Sequence, residues 1–250
     1  IANFAGDFIV AVPVPPNTTS TLSAVAVDAA GNVSGCSGIL SYTHDNTSPS
    51  LPNLVNTQPS SPANQNAVII DGTAEPNSIV RIYTNGACTG TSAYTTTAGI
   101  SGNFQVIAGV VDNSTTTFTA AAVDAAGNVS PCSAGISYIE DSTPPGPPVL
   151  TGSSPSSPAN NNAPRLIGTS EPGTAVTLYT NPGCSGTPAG SGTANASGQF
   201  RILINVGDNS TTTFYAHAAD VAANTSTCTI SGFTYIEDSN LPTNSICGFN

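Results

Sequence analysis

The sequence contains no lysine, no methionine and no tryptophan, and only 7% of its 250 residues are charged. Each scarcity excludes something. Without lysine there is no Lys–Asn isopeptide cross-link and no polybasic patch. Three arginines against 14 acidic residues leave a formal net charge of −11, which repels phosphate backbones and anionic lipid. Nucleic acid and membrane surfaces are therefore not expected partners. No stretch approaches the roughly 18 apolar residues of a membrane helix, so no membrane insertion is expected either. The chain does not begin with methionine and shows no signal peptide, the pattern of a mature product or a cut segment. Nor does any 3.6-residue apolar period bounded by caps occur, so helices should be almost absent.

Repetition is what the chain has in abundance. "DAAGNVS" occupies 28–34 and recurs letter for letter at 124–130, with "DVAANTS" at 220–226, an interval of 96 residues both times. On the same shift "SSPANQNA" (60–67) falls on "SSPANNNA" (156–163), "GTAEP" (72–76) on "GTSEP" (168–172), and "DNSTTTF" (112–118) on its copy at 208–214. "YIEDS" closes at 138–142 and again, one residue out of step, at 235–239. Residues 1–49 match only the second half of a repeat: Phe8, Leu22, Asp28, Cys36 and Asp45 fall on Phe104, Phe118, Asp124, Cys132 and Asp141. The expected organisation is a C-terminal half repeat (1–49), whole repeats at 50–145 and 146–239, and a tail at 240–250.

Within a repeat the period is two. Phe104, Val106, Ala108 and Val110 share one face, matched by Phe200, Ile202, Ile204 and Val206, while Arg201 and Asn205 point the other way. Phe118, Ala120 and Ala122 match Phe214, Ala216 and Ala218, and Val80 and Ile82 match Val176 and Leu178. Such alternation marks half-buried strands, and turn signals interrupt it about every ten residues. Strands A to G of the middle repeat are expected near 51–56, 67–72, 78–84, 91–97, 103–110, 115–123 and 132–139. Seven short strands per repeat predict an all-β fold of tandem immunoglobulin-like β-sandwiches. The antibody Cys…Trp…Cys signature is missing.

The run "FTAAAVDAAGNVSPCS…YIEDSTPPGPP" resembles the bacterial immunoglobulin-like (Big-type) repeats of large surface adhesins and biofilm-associated proteins, which close with an acidic residue before a Thr/Ser-Pro linker. The resemblance covers 1–239. It implies an extracellular stalk or fibre at a cell surface, sometimes stiffened by calcium between repeats. Two features depart from it: many such repeats carry no cysteine, and residues 240–250 match no part of the repeat.

Strand direction places Glu75 with Asp124 at the top of the middle repeat and Asp112 with Asp141 at its bottom, facing Glu171 and Asp220 of the next. Ca²⁺ takes six to eight oxygen ligands. The expectation is an inter-repeat calcium held by Asp45, Glu75 and Asp124 at the first junction, and by Asp112, Asp141, Glu171 and Asp220 at the second. The alternative is that Asp124 and Asn128 only shape a tight turn.

Six cysteines in so polar a chain suggest an oxidising compartment. Pairing within repeats, Cys88–Cys132 and Cys184–Cys228, closes loops of about 45 residues worth roughly 3–4 kcal/mol each. Strand direction, taken literally, favours a bridge across the junction from Cys88 to Cys228. Cys36 and Cys247 lack partners under either scheme, which points to a bond with another chain. Residues 1–49 supply only the last three strands of a sandwich, so a head-to-tail homopolymer completed by strand complementation is one expectation, and a continuous upstream chain the other.

The sequence offers no catalytic constellation. His44 and His217 are far apart, and no nucleophile–base pair or Cys/His metal spacing occurs. Carbohydrate or other ligand binding, as in an adhesin segment, is the alternative function. Against it, Tyr83, Tyr138, Tyr179 and Tyr235 recur at repeat positions, which suggests packing rather than a sugar platform.

Overall fold

A computed structural model describes residues 1–241; residues 242–250 of the tail, Cys247 among them, lie outside the described residues. Two strands form in the first 49 residues, β1 (Thr18–Leu22) and β2 (Leu40–His44). Seven follow: β3 (Asn53–Gln58), β4 (Ala67–Thr73), β5 (Ile79–Tyr83), β6 (Tyr94–Thr97), β7 (Asn103–Gly109), β8 (Thr115–Val123) and β9 (Ile136–Ile139). The last set is β10 (Val149–Ser154), β11 (Arg165–Thr169), β12 (Ala175–Tyr179), β13 (Gly190–Thr193), β14 (Gln199–Leu203), β15 (Thr211–Ala219) and β16 (Phe233–Ile236). Among the described residues there is no helix. The chain divides into two compact units, one of 1–56, 70–106 and 117–136, the other of 57–69, 107–116 and everything from 137 onward.

The strands β10–β16 form two antiparallel sheets, ordered β10-β11-β14 and β13-β12-β15-β16. Alternation decides which side chains face inward. Leu166 of β11 and Phe200 and Ile202 of β14 meet Val176, Leu178, Phe214, Ala216, Ala218 and Tyr235 from the other sheet in one buried cluster. Between them lies a β-sandwich core. The order of β3–β9 has the same form, β3-β4-β7 and β6-β5-β8-β9. The edge strands β6 and β13 pair with β5 and β12 respectively, which makes the large sheet four-stranded and the small one three-stranded.

Residues 7–14, expected as the first of three strands in the half repeat, form none. Within the whole repeats two further details differ from the sequence expectation. Strand β9 begins at Ile136, four residues later than expected, because the stretch before it pairs through side chains. Ser130 and Ser133 donate their backbone N–H to Ala122 and Ala120 carbonyls, and their hydroxyls accept from the N–H of the same two alanines. A hydroxyl standing in for a carbonyl satisfies the ladder without regular strand geometry. Ser226 and Thr229 repeat the device on Ala218 and Ala216, and Ser34 and Ser37 on Ala26 and Ala24. The extra residue that puts the second "YIEDS" out of step lies between Thr229 and β16, where Ile230 stands in solvent.

The second difference concerns β8, which is buried on both faces over Phe118–Val123 rather than on one. Its outer face is covered by the loop after β5: the Cys88 sulfur lies 3.4 Å from the Thr119 hydroxyl.

Candidate functional site

The recurring acidic turn is closed from within. Asp124 accepts hydrogen bonds from the N–H of Ala126 (2.9 Å) and Asn128 (2.8 Å) at Oδ1, and from the Asn128 side-chain amide (2.8 Å) at Oδ2. Gly127 takes φ +92° to make the turn. The third copy has lost this glycine, yet Ala223 adopts φ +67° and Asp220 still accepts from the backbone and side-chain amides of Asn224, both at 2.9 Å. Donors aimed at a carboxylate favour its charged form. The Asn128 amide, followed by backbone N–H groups, holds Asp124 below its ordinary value, and the Asn32 amide does the same for Asp28.

The asparagine of the turn has a second hydrogen to give, and where it goes defines the site. Asn128 Nδ2 also donates to the Asp45 backbone carbonyl (3.2 Å), at the end of β2. Asn224 Nδ2 donates to the Asp141 carbonyl (2.8 Å), at the end of β9, and Asn224 Oδ1 accepts from the Asn64 amide (2.6 Å). Asn224 is buried, so these bonds are shielded from water. In both cases the turn of one repeat grips the main chain where the previous repeat ends. Among the described residues the Asn32 side chain bonds only within its own turn.

The gripped strand end is itself braced. Asn113, at φ +52°, donates its N–H to Glu140 Oε2, and its Oδ1 accepts from Ser142 N–H (3.0 Å) and the Thr143 hydroxyl (2.7 Å). Asn209 and Glu237 reproduce the arrangement with Ser239. In the half repeat Asn17 donates to His44 Nδ1 (3.3 Å) and accepts from Asn46 N–H (2.7 Å), the imidazole replacing the carboxylate as acceptor. Glu140 and Glu237 are each 1% exposed, and one oxygen of each, Oε1, has no hydrogen-bond partner among the described residues. The glutamates and Asn64 were not singled out by sequence reasoning. The recurrence of Glu in both copies of "YIEDS" was the available signal.

The seven acids expected to hold calcium are not gathered. Asp112 accepts from the Asn66 amide (2.7 Å), Asp45 and Asp141 from the N–H groups of Thr47 and Thr143, and Glu171 from Gly146 N–H (2.7 Å). Asp124 and Asp220 are engaged in their turns, and Glu75 gives its backbone carbonyl to Ser78. Among the described residues no three of His, Cys, Asp and Glu converge on a common point suited to a metal.

The cysteines pair within repeats, Cys88–Cys132 and Cys184–Cys228. The bridge across the junction from Cys88 to Cys228 is not formed. The reason is the length of β5: Tyr83, its last residue, lies opposite Thr119, midway along β8, so the following loop starts at mid-height rather than at the bottom. Cys132 lies between the two serines that bond Ala120 and Ala122, beside the same stretch of β8. Cys36 is exposed and forms no disulfide among the described residues. The recurring tyrosines Tyr83, Tyr138, Tyr179 and Tyr235 are buried in the core. His217, half-buried, sits against Tyr179 with Nε2 3.3 Å from its hydroxyl.

The family model for the bacterial Ig domain matches residues 57–135 and 154–231, more than half of the chain. The chain belongs to the bacterial Ig domain family. No curated protein sequence matches it. Among solved structures, the bacterial Ig repeats of this chain are similar to a biofilm-associated protein BSP domain (15% identity, TM-score 0.30), covering 78% of this chain and 30% of that one. The fibronectin(III)-like modules of Clostridium thermocellum CbhA align at 16% identity and TM-score 0.43, over 74% of this chain and 96% of theirs. The D00-D0 domain of intimin aligns at 11% identity and TM-score 0.23, over 87% of this chain and 93% of that one. The chain thus spans less than a third of the biofilm-associated structure that it matches.

Proposed function

We propose that this chain is a tension-carrying segment of an extracellular stalk, in which the recurring turn fastens each bacterial Ig repeat to the one before it. One observation carries the reading: at both junctions the asparagine of the turn donates to the backbone carbonyl of the aspartate that ends the preceding repeat. A carbonyl is present whatever the side chain, so the grip depends only on where the chain runs. Pull on the array and the load enters at strand ends held by Asn113 and Asn209, in sandwiches stapled by disulfides. An oxidising exterior suits those disulfides, and a net charge of −11 keeps such segments apart from one another.

The test is ¹⁵N relaxation of the full chain. The repeats should reorient together, and Asn128→Ala combined with Asn224→Ala should give each repeat its own shorter correlation time with its fold intact. Repeats that already tumble independently in the unsubstituted chain would refute the fastening role.

A further inference from the structure

We propose that the arginine-bearing sheet face of the third repeat docks on the aspartate-bearing sheet face of the middle repeat of a second copy of this chain. The contact runs between chains, and it stands or falls independently of how successive repeats of one chain are fastened.

Two of the chain's three arginines share one face of one sheet. Arg165 of β11 lies opposite Leu203, and Arg201 of β14 lies opposite Ile167. The two are therefore diagonal neighbours, with backbones about 7–8 Å apart. Alternation points them away from Leu166, Phe200 and Ile202, which fill the core. Both are exposed, beside Val149 (57% exposed), Leu203 (48% exposed) and half-buried Ile167. No acidic residue occurs on β10, β11 or β14, and among the described residues neither guanidinium has a hydrogen bond or ion pair. Like charges so placed repel, so the face favours an anionic partner. Its apolar members favour a partner with apolar surface of its own over a fully hydrated polyanion.

The middle repeat offers such a surface at the equivalent place. Where the third repeat has Arg165, Ile167 and Arg201, it has Ile69, Asp71 and Gln105. The strands β3, β4 and β7 thus carry one aspartate and no base, whereas β10, β11 and β14 carry two arginines and no acid. Asp71 is half-buried, and its Oδ1 accepts from the Gln105 side-chain amide (2.7 Å), which orients the carboxylate. A carboxylate has about four acceptor sites, so a guanidinium is accommodated as well. Asp71 lines an open groove with Val55, Thr73, Thr97, Asn103 and Gln105, and Val55 is 56% exposed. An arginine from another chain can lay its apolar stem along such a groove while its head meets the acid. The net charge of −11 repels copies at other approaches, which makes this one pairing selective. A three-stranded face of roughly 14 Å by 16 Å is smaller than the about 800 Å² that each partner gives to a stable interface. A single contact is therefore weak, and repetition along an array strengthens it.

The experiment follows amide ¹H–¹⁵N shifts of the full chain from about 10 μM to about 1 mM, with Cys36→Ser and Cys247→Ser to remove thiol-linked dimers. Resonances at 165–169 and 199–203 should move together with those at 71–73 and 103–105, with a midpoint on the order of 100 μM. Arg165→Glu combined with Arg201→Glu should abolish the movement, and so should Asp71→Arg. An equimolar mixture of those two variant chains should restore it, because each supplies the face that the other lacks. Unchanged shifts elsewhere in each repeat check that the variants fold. Should Asp71→Arg fail that check, Asp71→Asn, which keeps an acceptor for the Gln105 amide, should weaken the association at least about threefold. The proposal falls if neither face moves up to about 1 mM, if the movement survives in the arginine variant, or if the mixture of folded variants stays inert. It also falls if the arginine face moves on addition of dextran sulfate but not on concentration, which would make the occupant an anionic polymer.

Discussion

Replacing Asn224 by alanine removes the fastening at its best-shielded point. The side chain makes three bonds: to the Asp141 carbonyl (2.8 Å), to the Asp220 carboxylate (2.9 Å), and from the Asn64 amide (2.6 Å). A neutral bond contributes about 0.5–1.5 kcal/mol, and one to a charged group about 1.5–3 kcal/mol. Because the three share one side chain their loss is less than additive, and a destabilisation of roughly 2–4 kcal/mol is expected. Asn128→Ala should cost less, since Asn128 is only half-buried and makes one junction bond, at 3.2 Å. Urea denaturation of the disulfide-intact chain, followed by tyrosine fluorescence, measures both. A double-mutant cycle with Asn64→Ala separates the junction from the turn: the Asn64–Asn224 pair should show a coupling of about 1 kcal/mol. A loss for Asn224→Ala under about 0.5 kcal/mol, or no coupling in the cycle, would mean that the asparagine merely shapes its own loop.

Four other outcomes follow from the same geometry. Ser133→Ala strips the acceptor from the buried Ala120 N–H and should cost about 1–3 kcal/mol, whereas Ser133→Thr should recover most of it, since Thr229 fills the equivalent place; equal losses would refute the hydroxyl's role. Asp124 has a folded pKa below its reference 3.8, so its contribution is complete above about pH 4 and fades as pH falls through the lower folded value. Carboxyl carbon shifts should place its midpoint below 3.8 in the folded chain and closer to the ordinary value in Asn128→Ala, which keeps the backbone donors. Burial first, and the Glu140 and Glu237 charges second, raise the Tyr138 and Tyr235 phenols above 10.0, so their stabilisation is present below pH 10 and lost as pH climbs through the raised values; absorbance at high pH should show them ionising after the other five of seven tyrosines. Finally, six of the seven acids expected to bind calcium already accept N–H donors, so calcium against chelator should leave the melting temperature unchanged within about 1 °C, and a rise of several degrees would support the ligand reading instead.

Much of the fold was legible because a β-sandwich writes its burial in a period of two. Phe200, Ile202 and Ile204 fall on one face by alternation alone, and strand β8 matches its expected span residue for residue. The disulfide pairing was not decidable, because it turns on how far up the sheet β5 ends, and strand length is the quantity that alternation defines least. The fastening asparagines were half legible. Their place in a turn follows from Asx chemistry, but their second hydrogen bond goes to a backbone carbonyl, which no side-chain pattern marks. The acids of the junction suggest a cation by their number; in the fold six of the seven accept hydrogen bonds from backbone N–H groups or asparagine amides, donors that an acidic pattern does not mark.

Glu140 and Glu237 carry that argument furthest. A carboxylate 1% exposed with one unpartnered oxygen costs stability, and an array that needed only a cap for the preceding loop could use an amide. The half repeat shows a third solution, His44, which accepts the same N–H through Nδ1. All three side chains are acceptors for the backbone of an asparagine in the left-handed region, Asn17, Asn113 or Asn209, at φ between +50° and +54°. The constant element is therefore the strained asparagine rather than the acid. Its side chain holds the chain where it leaves the sandwich, bonding Asn46, Ser142 or Ser239 N–H, and its backbone needs an acceptor so as to stay there. Asp45 and Asp141, which end the first two repeats, are thus fixed from both sides: their position by an asparagine behind them, their carbonyl by an asparagine ahead.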